Sequence, residues 1–215
     1  MGYQKDYKNY QSPYVDKNGE LKNELGIDDE ESLNKAERIL TSYRLSQLYM
    51  QTGAKTFDSN HLKSIHKYLF HGIYPFAGEF RNENIAKRVT FCLVQYIEPS
   101  LNDTLEKAKE EIPKIKTRDD LVKFITVLYG DLDIIHPFRE GNGRTLRDFM
   151  RQLIDYICEK NGLEGYFLDY SLIEDRDAYI DAVVNADCCN YSDLMALFDR
   201  ILVVKPKKDN LGKKI

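Results

Sequence analysis

The sequence has no long apolar run, and this shortage argues against a membrane protein. No hydrophobic segment approaches the roughly 18 residues that a membrane span needs. The opening MGYQKDYKNY lacks the order of positive and then apolar residues that marks a signal peptide, and Asp6 does not fit a myristoylation signal. We therefore expect a cytoplasmic protein that does not bind membranes.

Cysteine is scarce, and its spacing fits neither a metal site nor a disulfide framework. The four cysteines are Cys92, Cys158, Cys188 and Cys189, with no C-x-x-C pair among them. Adjacent cysteines such as the last two rarely bridge. We expect reduced and mostly buried thiols, without zinc or disulfides.

The chain also lacks an excess of one charge. Its 215 residues include 31 Lys and Arg against 35 Asp and Glu, for a net charge of −4 at pH 7. Without a basic stripe to neutralise phosphates, direct binding to nucleic acid is disfavoured. The exception is the terminal KPKKDNLGKKI, and because such charge runs are usually solvated, we predict that residues 204–215 form a disordered basic tail.

What the sequence does contain is helical periodicity. A hydrophobic fraction of 42% is enough to fill one core in a chain of this length. Apolar residues recur at helical spacing along most of the chain, and no internal repeat is visible. We predict an all-α fold with one small β-hairpin. Residues 1–30 would form an extension, residues 31–203 the domain and residues 204–215 the tail.

Individual helices follow from apolar faces and capping residues. Asp58 and Ser59 are expected to begin one helix, Ser100 is a candidate cap of another, and Thr117 with Asp120 forms the pattern of a capping box. An earlier amphipathic stretch is expected to face the core through Leu33, Ala36, Ile39, Leu40, Tyr43 and Leu48.

The segment between these helices contains the one clear β-like run. Pro75 and Gly78 interrupt the helical pattern, and VTFCLV follows at residues 89–94. We expect a short hairpin in this stretch.

The run HPFREGNGRTLR, residues 136–147, concentrates polar chemistry where two predicted helices meet. The first helix is expected to end at His136 because Pro137 follows it, and the second to begin near Asn142 or Gly143. The glycines of the run allow successive N–H groups to converge, and the second helix adds unpaired amides and the positive end of its dipole. This junction predicts a site for an anion.

The charged residues of the run suggest which anion binds. Arg144 and Arg147 are expected to share a helical face near that positive end, where they repel each other unless something negative lies between them. A polyphosphate would satisfy both, Glu140 would supply an oxygen ligand to a phosphate-bound Mg²⁺, and His136 could accept a proton. Taken singly, each residue also fits an ordinary helical corner, and EGNGRT lacks the lysine and spacing of a P-loop.

As a set, the run resembles the complete signature of the Fic family, H-P-F-x-(D/E)-G-N-G-R-x-x-R. The segments IHKYLF at residues 65–70, PFAGEFR at 75–81 and TFCLVQYIE at 90–98 resemble their Fic counterparts in order and spacing. The resemblance covers most of residues 13–203. It implies an all-α Fic domain that transfers AMP from ATP to a Tyr, Thr or Ser hydroxyl of a target protein, and of itself, releasing pyrophosphate.

The resemblance also implies a role for each residue of the signature. His136 would deprotonate the target hydroxyl and Glu140 would hold Mg²⁺. The amides of Gly141, Asn142 and Gly143 would stabilise the charge that develops during transfer. The presence of the last glycine favours AMP transfer over phosphorylation, because family members that act as protein kinases lack it.

The remaining roles concern the phosphates and the target. Arg144 and Arg147 would bind the β and γ phosphates. Residues 85–90 resemble the flap of the family, which pairs with the target backbone by strand addition. The expected docking residues are Lys87, Arg88, Val89 and Thr90.

The inhibitory motif of many Fic proteins, (S/T)-x-x-x-E-(G/N), finds no match. Neither Glu83 before Asn84 nor Glu164 before Gly165 has a Ser or Thr four positions earlier. The segment YVDKNGELKNELGI resembles the class I toxin branch, in which a separate small antitoxin supplies the inhibitory helix, so the chain either has such a partner or is uninhibited. Family analogy suggests bacterial type II topoisomerase subunits as targets. Transfer of UMP or phosphocholine and a catalytically silent nucleotide-binding module remain alternatives.

Overall fold

The computed structural model describes residues 12–17, 19–50 and 55–206, which form seven α-helices and two short strands. The predicted all-α class is confirmed, and the two strands pair in one small antiparallel sheet. Most of the predicted tail lies outside the described residues. The helices are α1 Glu30–Leu48, α2 Ser59–Phe70, α3 Ile97–Glu111, α4 Arg118–Ile135, α5 Asn142–Asn161, α6 Arg176–Asp187 and α7 Ser192–Ile201, and the strands are β1 Tyr166–Leu168 and β2 Leu202–Val204.

Two of the three predicted helix caps are confirmed. Asp58 caps α2 through its side chain, and Thr117 and Asp120 form a reciprocal capping box at the start of α4. The predicted cap at Ser100 is wrong, because the 3₁₀ turn Val94–Tyr96 leads directly into α3 and places that serine inside the helix.

The buried face of α1 differs from the predicted one. Leu33 is buried as expected, but the side chains of Ile39 and Tyr43 are exposed. Glu37 occupies a core position instead, with 4% of its surface exposed. Apolar spacing alone could not reveal this arrangement, since a carboxylate is buried only where the fold supplies a partner for it.

The β-like run at residues 89–94 does not form a strand. A single antiparallel bridge between Ala86 and Thr90 closes a tight turn, which we call the flap (residues 85–90). The regular sheet pairs β1 with β2, and Phe167 lies opposite Val203. The strand predicted at residues 89–94 is therefore wrong. The sheet of β1 and β2 was not predicted, because three-residue strands distant in sequence carry no readable alternation.

Helix α4 lies at the centre of the molecule and packs against α3, α5, α6 and α7. The approach of α6 is unusually close at Gly130. A Cβ atom added there would lie 3.0 Å from both the Cβ of Ala186 and the ring of Tyr191. The missing side chain at this position lets α4 and α6 form one continuous wall.

The prediction that the cysteines are mostly buried is wrong. All four cysteines are free, but only Cys158 is buried, while Cys188 and Cys189 are exposed at the end of α6. In the part of the chain that the structure describes, no helix is both long and apolar enough to cross a membrane.

Candidate active site

The predicted junction of two helices is present at residues 136–141. Helix α4 ends at Ile135, and His136 takes a left-handed conformation with φ 46°, which is uncommon for a residue with a side chain. Gly141, with φ 83°, directly precedes the first residue of α5. A Cβ atom at Gly141 would lie 2.2 Å from the ring of Phe70. The loop therefore packs directly on α2.

Hydrogen bonds inside the loop fix its shape. The N–H of Phe138 donates to Oδ1 of Asn142 at 2.8 Å, and Nδ2 of Asn142 donates to the carbonyl of Phe138 at 2.7 Å. The Phe138 ring is buried and stacks on the ring of His66 at 3.9 Å. The side chain of Asn142 thus supports the loop, while its backbone amide lies in the first turn of α5.

His66 on α2 is a supporting residue that sequence reasoning missed. Its Nδ1 accepts the N–H of Gly78 at 2.8 Å, so its Nε2 donates to the carbonyl of Glu140 at 2.9 Å. Burial lowers the pKa of His66 to about 4, which keeps the ring neutral and this pattern intact. The only sequence signal was its place within IHKYLF.

Arg81, which was also missed, binds the loop and the flap together. Its guanidinium donates to the carbonyl of His136 at 2.8 Å, to that of Ile135 at 3.3 Å and to that of Glu83 at 2.8 Å, and also to the carbonyl of Cys92. The side chain is 2% exposed. A buried cation at this position neutralises the negative end of α4.

His136 is arranged as a proton acceptor. Its Nδ1 lies 3.1 Å from the carbonyl of Asp133 and donates to it, so Nε2 is the unprotonated nitrogen. The ring stacks on Phe91 at 3.8 Å. Burial, reinforced by Lys87, lowers the pKa of His136 to about 3. The imidazole is therefore neutral and available as a base throughout the physiological pH range.

His136 lines a cleft of about 450 Å³ between the loop, the flap, α4 and α6. Most of the predicted site residues line the same cleft, whereas Arg144 and Thr90 do not. The predicted residues that line it are Lys87, Arg88, Val89, His136, Glu140, Gly141, Asn142, Gly143 and Arg147.

The N-terminus of α5 and Arg147 supply the positive charge of the cleft. No side chain caps α5, so its first amides are free for a ligand. The guanidinium of Arg147 lies 5.7 Å from the ring centre of Tyr170. Burial opposes its charge, but neighbouring tyrosines, Tyr129 foremost, raise its pKa overall. A Cβ at Gly143 would lie 3.2 Å from Nη1 of Arg147, so this glycine leaves room for the guanidinium.

Arg144 points toward α1 and away from the cleft. Its guanidinium lies 2.5 Å from Oε1 of Glu37, 3.5 Å from Oε1 of Glu140 and 3.3 Å from the hydroxyl of Thr41. The expectation that both arginines need an anion between them is wrong, because the buried carboxylate of Glu37 already pairs with Arg144. Phosphate binding by Arg144 stays a prediction.

The donor set around Glu140 fits a metal only together with a ligand. One carboxylate oxygen accepts the N–H of Gly141 at 2.9 Å. Among the described residues, no three His, Cys, Asp or Glu side chains are grouped as a metal site. A single carboxylate suits Mg²⁺ that is otherwise bound by phosphate oxygens and water. The residues present thus fit a nucleotide-bound ion.

Two carboxyl groups that sequence reasoning missed also line the cleft. Burial raises the pKa of Asp133 to about 6. Burial, with a further contribution from Asp133, raises the pKa of Asp187 to about 8. No sequence pattern marked either residue, because their effect depends on α4 and α6 bringing them into one cavity.

Comparison with known proteins agrees with this geometry. Residues 56–154 match the family model described as Fic/DOC. Protein adenylyltransferase VbhT of Bartonella schoenbuchensis is 31% identical, over 90% of this chain and 39% of its own length. A probable protein adenylyltransferase Fic of Escherichia coli is 27% identical, over 85% of this chain and 87% of its own. This chain thus spans less than half of the first relative and most of the second.

A solved structure is similar to this chain in both fold and sequence. The N-terminal Fic domain of a putative cell filamentation protein from Bartonella quintana, crystallised with bound ADP, is 25% identical with a TM-score of 0.78. The match covers 89% of this chain and 95% of that one. Residues 56–154 of this chain are therefore a Fic domain.

Proposed function

We propose that this chain is a protein adenylyltransferase that transfers AMP from ATP to a hydroxyl side chain of a target protein. The observation that carries the proposal is the neutral His136, with an unprotonated nitrogen in the same cleft as the uncapped start of α5 and Arg147. A proton acceptor beside a phosphate-binding helix end is the arrangement that phosphoryl chemistry on a hydroxyl requires. The names of the relatives and the ADP-bound neighbour support the same reaction.

The proposed reaction is a single displacement at the α phosphorus. The target hydroxyl oxygen forms a bond to that phosphorus, and its proton passes to Nε2 of His136. The bond between the α phosphorus and the bridging oxygen breaks, and pyrophosphate leaves. The free amides of Asn142 and Gly143 stabilise the charge on the transferring group, and Arg147 orients the terminal phosphates.

Glu140 would hold Mg²⁺ against the phosphates, where the ion would neutralise charge on the leaving group. We expect that Glu140→Ala or a chelator abolishes label transfer even at saturating ATP. The measurement is labelled-AMP incorporation with and without added Mg²⁺. Full activity in the presence of a chelator would contradict the metal role.

The flap is the proposed docking surface for the target. Its Ala86–Thr90 bridge holds the segment in an extended turn beside His136, and main-chain groups of such a turn can pair with an extended peptide. Lys87, Val89 and Arg88 line the cleft at this point, and Arg88 also pairs with Asp181 on α6. The identity of the target also belongs to the proposal, and family analogy suggests a topoisomerase subunit.

Labelled nucleotides test the reaction directly. ATP labelled at the α phosphate should leave label on protein, and ATP labelled at the γ phosphate should not. Retention of the γ label would indicate phosphorylation. Label from UTP or CDP-choline in place of ATP would indicate one of the alternative transfers, and nucleotide binding without any label would indicate a silent binding module.

A further inference from the structure

A buried acid on α1 lies outside the cleft and has no part in the proposed reaction. Glu37 is 4% exposed, and both of its carboxylate oxygens have partners. Its Oε2 accepts the hydroxyl of Tyr74, and its Oε1 lies 2.5 Å from Nη1 of Arg144. A carboxylate is tolerated in a protein interior only with such partners. The two contacts hold the negative charge of Glu37 in one place.

Further contacts hold the guanidinium of Arg144 on the α1 side. Its Nη1 also lies 3.3 Å from the hydroxyl of Thr41, which itself donates to the carbonyl of Glu37 at 2.8 Å. The guanidinium carbon lies 4.9 Å from the ring centre of Phe70. An acid, a hydroxyl and an aromatic face thus bind this arginine together.

The same arginine reaches the acid that we propose as the Mg²⁺ ligand, but only through a longer contact. Nη2 of Arg144 lies 3.5 Å from Oε1 of Glu140, against 2.5 Å for the contact with Glu37. The N–H of Gly141 donates to that same Oε1 at 2.9 Å. Both contacts fall on one oxygen, which leaves Oε2 of Glu140 for a cation in the cleft. Because attraction between charges weakens with distance, Arg144 neutralises Glu37 more than Glu140.

Accepting the proposed reaction and its Mg²⁺, we propose that Glu37 is a positioning residue that keeps Arg144 from neutralising Glu140. The side chains of Glu140 and Arg144 already lie within ion-pair distance. Without Glu37, the guanidinium would be free to take both oxygens of Glu140 in a bidentate pair. Such a pair would compete with the cation for the carboxylate. The buried acid of α1 thus reserves the charge of Glu140 for the nucleotide-bound ion.

The test is equilibrium binding of ATP to the purified full chain at pH 7, measured by calorimetry in EDTA and in saturating Mg²⁺. The ratio of the two dissociation constants, which we call the Mg²⁺ ratio, states how many times the ion tightens ATP binding. Glu37→Gln should lower this ratio by about tenfold, the value of one hydrogen bond to a charged group. A purely structural role of Glu37 would weaken binding equally in both conditions and leave the ratio unchanged.

Further variants separate a competing arginine from a general loss of structure. Arg144→Gln, alone or combined with Glu37→Gln, should give a Mg²⁺ ratio within a few-fold of the wild type, because no guanidinium remains to occupy Glu140. Glu31→Gln is the matched control. It removes the same charge from an exposed position of α1 and should leave the ratio unchanged.

A wild type whose ATP binding Mg²⁺ does not tighten overturns the role of Glu37, and so does an unchanged ratio in Glu37→Gln. A ratio that stays low in the double variant, or that falls in Arg144→Gln alone, overturns it as well. AMP transfer separates this role from the proposed function. Transfer by a wild type whose Glu37→Gln variant keeps the ratio retains the function and rejects the role of Glu37, whereas the expected ratios without any transfer do the reverse.

Discussion

At the scale of single residues, the site depends on protonation states that neighbouring groups set. The carbonyl of Asp133 holds the hydrogen of His136 on Nδ1, and burial keeps the ring neutral. Burial likewise raises the pKa of Asp187, to about 8. Two groups whose pKa values burial shifts in opposite directions, downward for His136 and upward for Asp187, thus share one cleft.

We predict that His136→Ala separates binding from transfer. The phosphate contacts lie on α5, so ATP affinity should stay within a few-fold of the wild type, while the rate of AMP transfer should fall by about 10²-fold to 10⁴-fold. Nucleotide titration and labelled-AMP incorporation measure the two quantities. A parallel loss of affinity and rate would show that His136 acts chiefly in holding the nucleotide or the loop.

A second residue-scale prediction concerns stability and pH. In the unfolded chain Asp187 ionises near pH 3.9, but in the folded chain near pH 8. The folded state therefore binds more protons between these values, and its stability falls as pH rises through that window. Asp187→Asn removes this penalty, so its melting temperature should exceed that of the wild type by more at pH 8 than at pH 5. Equal differences at the two pH values would contradict the raised pKa.

At the scale of elements, the loop between α4 and α5 is held from below by α2. Gly141 touches the ring of Phe70, and His66 binds the carbonyl of Glu140. The glycine is needed both for its positive φ and for its closeness to the ring. The loop geometry is thus a property of three helices together.

We predict that Gly141→Ala lowers the free energy of unfolding by about 2 to 4 kcal/mol, from backbone strain and overpacking combined. Gly162→Ala is a matched control. Gly162 also has a positive φ, of 67°, but nothing lies within 4 Å of an added Cβ, so only the strain of about 1 kcal/mol remains. Urea unfolding of both variants gives the comparison, and similar losses would mean that the contact with Phe70 is readily relieved.

Local patterns predicted the elements well where the cause is local. The capping box at Thr117 depends on neighbours in sequence, and it was predicted correctly. The burial of Glu37 and the pairing of β1 with β2 depend on residues far away in sequence, which no periodicity encodes. The site divides in the same way, since the signature named His136 but not Arg81, whose importance arises from four carbonyls gathered by the fold.

At the scale of the whole molecule, the question is whether a residue of the chain inhibits its own AMP transfer. Arg147 faces tyrosine rings and forms no salt bridge among the described residues. Glu37, the buried acid of α1, pairs with Arg144 instead. The second arginine of the signature is therefore open to a phosphate.

We predict that the purified chain transfers AMP, to itself or to a target, without any activating mutation. A partner helix bearing Ser-x-x-x-Glu-Gly should stop transfer, because its glutamate would pair with Arg147 and exclude the γ phosphate. The same helix with glycine in place of that glutamate should bind without inhibiting. An inert wild-type chain that becomes active on Glu37→Gln would instead locate the restraint inside the chain.

Arg81 bears on how the target preference of this chain can change. Its guanidinium holds the carbonyls of Glu83 and Cys92, which flank the flap, and those of Ile135 and His136. The roots of the flap and the proposed base are thus tied to one buried group, whereas the tip is held by the bridge at Ala86 and by the exposed ion pair of Arg88 with Asp181. If the flap docks targets as proposed, mutations at the tip can change which target is bound during evolution. They would leave unchanged the distance between the target hydroxyl and Nε2 of His136.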